Sequence, residues 1–170
     1  MSIDLGMASE GEFGTGRLLP RLAASSVRGS VVRLGQAYWE TKCRHGRLPS
    51  RADIDPREIP QLLPHVILLD VQPEPLDFRF RLIGGGGVVA HLSQDWTGAW
   101  MSQVPEMRPP NRILGQCRGV VSTASPSRSR SNYRGPHSNI AAEEDVILPL
   151  ASDGRTVDML LGFVEYLGRR

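Results

Sequence analysis

Two apolar runs, Val146 to Leu150 and Thr156 to Tyr166, stand on either side of Ser152-Asp-Gly-Arg155 and constrain this chain more than any other feature. Asp-Gly between apolar runs is a strong hairpin signal, because both central residues tolerate positive φ. With the turn closed on Asp153-Gly154, Leu150 faces Val157, Leu148 faces Met159 and Val146 faces Leu161. Strand alternation then makes one face of the ribbon wholly apolar and continues it with Phe163. The other face mixes Ile147, Leu160 and Val164 with Asp145 and Asp158. A ribbon of that kind must be covered by another layer.

A second ordered series runs from Gly46 to Trp100. Asp55 before Pro56 is a helix start: the carboxylate accepts backbone N–H bonds, and proline is harmless at the first helical position. The spacing predicts a short helix to about Leu63, stopped by Pro64. Val66 to Val71 reads as an apolar strand, and Phe78, Phe80 and Leu82 alternate with Arg79 and Arg81 as a half-buried strand does. Pro73-Glu-Pro75 turns one strand back on the other. A symmetric hairpin sets Asp70 opposite Arg79, which predicts a cross-strand ion pair.

In order, these signals are Arg47-Leu-Pro-Ser-Arg-Ala-Asp-Ile-Asp-Pro56, an apolar strand ending in Asp70, Phe78-Arg-Phe-Arg-Leu-Ile-Gly84, Asp95-Trp-Thr-Gly98 and Leu148-Pro-Leu-x-x-Asp-Gly154. The set resembles small bacterial PAS-domain proteins in which one PAS-like domain fills nearly the whole chain, and the likeness covers roughly Val31 to Leu167. It implies an α+β fold, with a five-stranded antiparallel sheet, helices over one face, an N-terminal flanking helix, and a ligand pocket between sheet and helices.

Length and composition agree. At 170 residues and 40% apolar content, the chain has room for one domain with a proper core, taken here as 27 to 170. Met1 to about Ser26, rich in Gly, Ser and isolated charges, reads as a disordered N-terminal segment. Cys43 and Cys117 lie far apart without a CxxC pattern, no apolar run is long enough to span a bilayer, and no signal peptide is legible. A cytoplasmic protein with reduced thiols is expected, without membrane association. A net charge of +2 gives little reason to expect a nucleic-acid partner.

Two helices complete the reading. Ser30 can cap one that runs to about Arg44, with Val31, Leu34, Tyr38 and Trp39 on a stripe extended by Cys43 and a stop at Gly46. That stripe is wider than one sheet edge needs, which makes those four residues a candidate surface for homodimerisation or for a signalling partner. Pro109 to Val121 gives the second, amphipathic through Ile113, Leu114, Cys117, Val120 and Val121, with Asn111 as cap and the pocket as the space it covers. Between Thr123 and Ala142 only a weak strand, around Arg128 to Tyr133, can be placed.

Several motifs invite sharper chemistry. Gly84 to Gly87 lacks the Lys-Ser/Thr of a phosphate loop and its parallel βαβ context, so it reads as a flexible strand-to-helix turn. Gly115-Gln-Cys-Arg118 resembles the cysteine-bearing helix of flavin-binding photosensory PAS domains, but Gln116 and Gly119-Val-Val121 depart from that pattern, so Cys117 reads as a buried structural cysteine. His91 alone could hold a haem iron, yet His45, His65, His91 and His137 show no spacing that converges on a metal. Arg130-x-x-x-Arg134 is half of a cyclic-dinucleotide clamp without its partner motif and reads as a solvated loop.

Nothing assembles nucleophile, base and oxyanion donors, so no enzyme is expected and no cofactor is assigned. The candidate ligand pocket comprises His91, Trp96, Trp100, Ile113, Leu114, Cys117, Val121, Leu148 and Met159. Two functions follow: a sensor whose small-molecule ligand shifts the Ile113 to Val121 helix, or a constitutive dimerisation or protein-interaction module with no ligand. A partly polar cavity favours the first; a packed interior with a large apolar surface favours the second.

Overall fold

A computed structural model of the chain describes residues 30–169, and the segment expected to be disordered lies outside them. In chain order the elements are α1 (Val31–Lys42), β1 (Val66–Pro73), β2 (Leu76–Ile83), α2 (Arg112–Thr123), β3 (Ser127–Asn132), β4 (Ile140–Leu150) and β5 (Met159–Gly168), joined in places by short 3-10 turns. The strands form one antiparallel sheet in the order β2-β1-β5-β4-β3. The weak strand of the Ser- and Arg-rich segment is therefore real: β3 pairs with β4 as an edge, its side chains alternately half-buried and exposed.

Each sheet face has its own apolar core. On one, Leu69, Phe80, Ile147 and Leu160 meet Leu114, Cys117 and Val120 of α2 together with Val88, Trp96 and Met101 of the long β2–α2 connection. On the other, Val66, Leu68, Val146, Leu148, Leu161 and Phe163 are covered by α1 and by Ile54, Ile59 and Leu62. Burying a side chain of this size contributes about 1.5–3 kcal/mol, so neither face could stay bare.

How α1 approaches the sheet is fixed by particular residues. A Cβ on Gly35 would lie 2.3 Å from the Phe163 ring, so only glycine lets the helix come this close. Trp39 donates its indole N–H to the Pro149 carbonyl at 2.9 Å. Ser30 does not cap with its side chain as expected; instead the Val31 N–H donates to the Glu165 carboxylate at 3.0 Å, pinning the helix start to β5.

Three local expectations are corrected. Asp55 does accept the Arg57 N–H, but the turn it opens is 3-10, over Pro56–Glu58, and a second turn covers Pro60–His65 with Pro64 inside it. Pro60 is the reason: it offers no N–H and pushes Ile59 out of the helical region, to φ −130° and ψ 41°. In the first hairpin Leu68 faces Leu82 but Leu69 faces Phe80, leaving Arg81 as a bulge. The bulge flips the alternation, so Ile83 is buried and Leu82 is 43% exposed. Asp70 does oppose Arg79, yet its ion pair goes to the bulged Arg81, at 2.6 Å.

The last hairpin keeps its faces and changes its register. Leu150 pairs with Met159, Leu148 with Leu161 and Val146 with Phe163, two residues beyond the tight-turn pairing. Ala151 to Asp158 forms a wide loop rather than a two-residue turn. The Asp153 carboxylate accepts the N–H groups of Arg155 and Thr156, Asp158 accepts that of Ser152, and Leu48 donates to the Gly154 carbonyl. A displacement of two preserves which side chains face inward, so the apolar face survives.

Candidate functional site

Between the sheet and the α2 side lies a cavity of about 990 Å³. Ile67 and Leu69 of β1, Ile147 of β4 and Val164 of β5 form its floor, while Val88, Trp96, Met101 and Ile113 stand on the covering side. Trp96 is buried there because its ring tilts against Phe80, with centroids 5.7 Å apart. Beneath it, Asp95 accepts the N–H and hydroxyl of Thr97, and the Gly98 N–H donates to the Phe80 carbonyl, so the Asp-x-Thr-Gly segment is tied along the free edge of β2.

The polar residues gather in two groups. One is built where α2 begins: Asn111 caps the helix by accepting the Leu114 N–H at 3.0 Å, and this orients Arg112 across the sheet. Its guanidinium donates to Asp145 at 2.7 Å and to Glu143 at 3.0 Å, both on β4. Ser129 and Ser131 of β3 add hydroxyl donors to the same two carboxylates, at 2.6 and 3.0 Å, and Arg112 also contacts Ser129. A positive residue at a helix N-terminus opposes the helix dipole, and two carboxylates offset that here. Arg112 thus fastens α2 to the sheet at one end of the cavity.

The second group is aromatic. His91 stacks on Tyr166 of β5 with ring centroids 4.2 Å apart and meets His137 edge-on, while its Nδ1 lies 2.9 Å from the Gly87 carbonyl. Tyr133 donates to the His91 carbonyl at 2.9 Å, which links the β3–β4 connection to the turn after the glycine run. Burial and the nearby Glu143 push the Tyr166 hydroxyl well above its ordinary pKa, so it is a neutral group at physiological pH.

Of the nine candidate pocket residues, the structure brings His91, Trp96 and Ile113 to the cavity wall. Leu114 and Cys117 are buried in the same core behind that wall, with Val121 half-buried beside them. Burial raises the Cys117 thiol to about 12. Trp100 stays half-buried on the edge of β2, bridged to Arg79, instead of walling the pocket with Trp96. Leu148 and Met159 lie on the opposite face, beneath α1. The reason is alternation: neighbours of Ile147 and Leu160 necessarily point the other way.

The candidate dimer stripe is likewise turned inward. Trp39 is buried, Val31, Leu34 and Tyr38 pack on the α1 core, and the helix exposes Arg33, Ala37, Glu40 and Thr41. The apparent excess width of the stripe is used on the chain's own sheet. Among the described residues no three His, Cys, Asp or Glu side chains gather to hold a metal, and no helix is long and apolar enough to cross a membrane.

Sequence reasoning missed the Arg112, Glu143 and Asp145 cluster. A signal was present, since Asp145 falls on the inward side of an otherwise apolar alternation with Ile147.

This architecture, an antiparallel five-stranded sheet enclosing a cavity with a helix and a long connection, is PAS-like, and comparison with known proteins agrees. The PAS domain family matches residues 28–165, and the chain belongs to it. PAS domains are typically sensory and signalling modules without catalysis. A solved structure from work on a fungal LOV domain photoreceptor and a conserved pathway integrating blue light and oxidative stress resembles 79% of this chain and 91% of its own, at 15% sequence identity and a TM-score of 0.46. No curated protein matches the sequence.

Proposed function

We propose that this chain is a ligand-responsive sensory domain of bacterial signalling whose small-molecule ligand occupies the cavity between the sheet and α2. The observation that carries this reading is the cavity itself: about 990 Å³, inside a domain whose two cores are otherwise packed, is the size of a site for a drug-sized molecule. Its lining, largely apolar with a few convergent polar groups, has the composition of such sites.

The response would come from differential affinity for two arrangements of the covering wall. The polar ties of that wall at the cavity include the Arg112 ion pairs, the Gln116 bond to Ser127 and the Tyr133 bond to His91, and a ligand seated among them can bias the wall. The alternative, a constitutive interaction module, would draw on a broad apolar surface, and the exposed large hydrophobics among the described residues are Leu63 and Leu82.

Native mass spectrometry of the purified protein, with hydrogen exchange across α2, tests the reading. A retained organic mass that is lost in Ile113→Trp, where the larger ring fills the cavity, is the expected result, together with slower exchange in α2 when the ligand is present. A protein that carries no adduct, and whose unfolding temperature no member of a small-molecule library raises, overturns it.

A further inference from the structure

Two cavity-lining residues, Trp96 and Asp145, each carry a buried polar atom with no hydrogen-bond partner: the indole Nε1–H and the carboxylate Oδ1. Both residues are more than nine-tenths buried, at 6% and 3% exposure. An unpaired buried polar atom is costly, and native proteins leave few of them. Here a donor and an acceptor without partners belong to two residues in the wall of the same cavity, each atom covered at the surface of the pocket, so a ligand meets them by a small turn of the indole and of the carboxylate.

Their surroundings separate their roles. Asp145 Oδ2 is saturated by Arg112 and Ser129, while Oδ1 receives nothing. Arg112 also serves Glu143, so one guanidinium answers two carboxylates, and the group keeps one net negative charge. That balance favours a donor, above all a cationic one. Trp96 can only donate, and its surroundings, Phe80, Val88 and Met101, are apolar. Trp96 sits over β2 and Asp145 on β4, three strand spacings or about 14 Å apart across the sheet; Phe80 beneath Trp96 shares a row with Pro149, four residues from Asp145, which adds about 13 Å along the strands.

We propose that Asp145 and Trp96 are the two anchors of the cavity's ligand, an elongated and mainly apolar molecule with an amine or other N–H donor at its Asp145 end and a hydrogen-bond acceptor at its Trp96 end. This rests on the reading of the cavity as a ligand site and adds the ligand's chemistry. It also supplies a route to the signal. The ligand and α2 share one carboxylate, the first through Oδ1 and the second, by Arg112, through Oδ2, so occupancy of one oxygen changes the hold of the other on the helix.

Three matched probes test the assignment against the full chain by calorimetry: ω-aminododecanamide, with a donor amine and an acceptor carbonyl; dodecanedioate, with acceptors at both ends; and dodecylamine, with the amine alone. The amino-amide is expected to bind at least about tenfold more tightly than the diacid and several-fold more tightly than the plain amine. Asp145→Asn should erase the first difference and Trp96→Phe the second, with near-ultraviolet dichroism confirming that each variant is folded. The ranking of probes on the unaltered chain does not depend on any variant folding.

A diacid that binds as well as the amino-amide, or a ranking unchanged in Asp145→Asn, overturns the anchors and leaves the cavity reading intact. Failure of all three probes while the purified protein still retains an organic mass has the same meaning. Failure of all three with no retained mass and no library hit removes both readings.

Discussion

Cys117 on α2 and Asp145 on β4 are both buried, yet in different surroundings. Desolvation, with the nearby Asp145 carboxylate adding to it, raises the thiol to about 12, whereas the carboxylate is held by Arg112 and Ser129. A raised thiol favours the folded state while both states are protonated. That advantage is complete below the ordinary thiol value of about 9 and is lost as pH rises from there toward 12, because the unfolded chain ionises first. The denaturant midpoint of the natural chain should therefore fall more steeply above pH 9 than that of Cys117→Ala; parallel curves would mean the thiol is not buried as described. Native labelling with a thiol reagent should modify the half-buried Cys43 first and reach Cys117 only at the rate of unfolding. Both cysteines lie on apolar stripes in the sequence; the structure buries Cys117 and leaves Cys43 half-buried at the end of α1. The sequence could not place Arg112 against Glu143 and Asp145, because those partners meet only when α2 folds across β4.

Strands and helices were largely legible, and the places where they were not share one cause. Periodicity says which face a residue takes only while the ladder is regular. The bulge at Arg81 broke it for Leu82 and Ile83, and the wide Ala151 to Asp158 loop moved the last hairpin by two residues without changing its faces. The four-glycine run repeats the lesson. Added Cβ atoms at Gly84 and Gly87 would each meet the Pro64 carbonyl oxygen at 2.3 Å, whereas those at Gly85 and Gly86 would meet nothing. Gly84→Ala and Gly87→Ala are therefore expected to destabilise by about 1–3 kcal/mol, since a backbone carbonyl cannot swing aside. Gly85→Ala and Gly86→Ala should stay within about 0.5 kcal/mol. Equal effects at all four positions, read from urea midpoints, would mean that the run is a flexible hinge and not a close crossing over the Pro60–His65 turn. Gly154 combines both constraints, with φ +78° and Arg47 packed where a side chain would go. Gly154→Val should lower stability by about 1–3 kcal/mol, and an unchanged midpoint would contradict the loop geometry.

At the scale of the whole molecule, the division of labour between the two sheet faces separates structure from function. The α1 face is filled by large side chains and closed by a glycine-mediated contact; the α2 face keeps a cavity and two unpaired polar atoms. Nothing in the sequence assigns the helices to faces, because an apolar stripe is the same whether it meets its own sheet or a second copy. The first helix therefore read as dimer surface, although it is the cover of a core. Removing it distinguishes these roles. A chain starting at Arg47 loses every contact that α1 makes with Val146, Leu148, Leu161 and Phe163, and exposes a contiguous apolar face of the kind monomers avoid. It should bind anilinonaphthalene sulfonate, lose its cooperative near-ultraviolet transition and sediment as heterogeneous aggregates. If α1 instead served only to join two copies, the shortened chain would remain a compact, cooperatively unfolding monomer that leaves the dye dark, while the full chain sedimented as a dimer. The interlocked Gly35 and Phe163, and the Trp39 bond to Pro149, are the reasons to expect the first outcome.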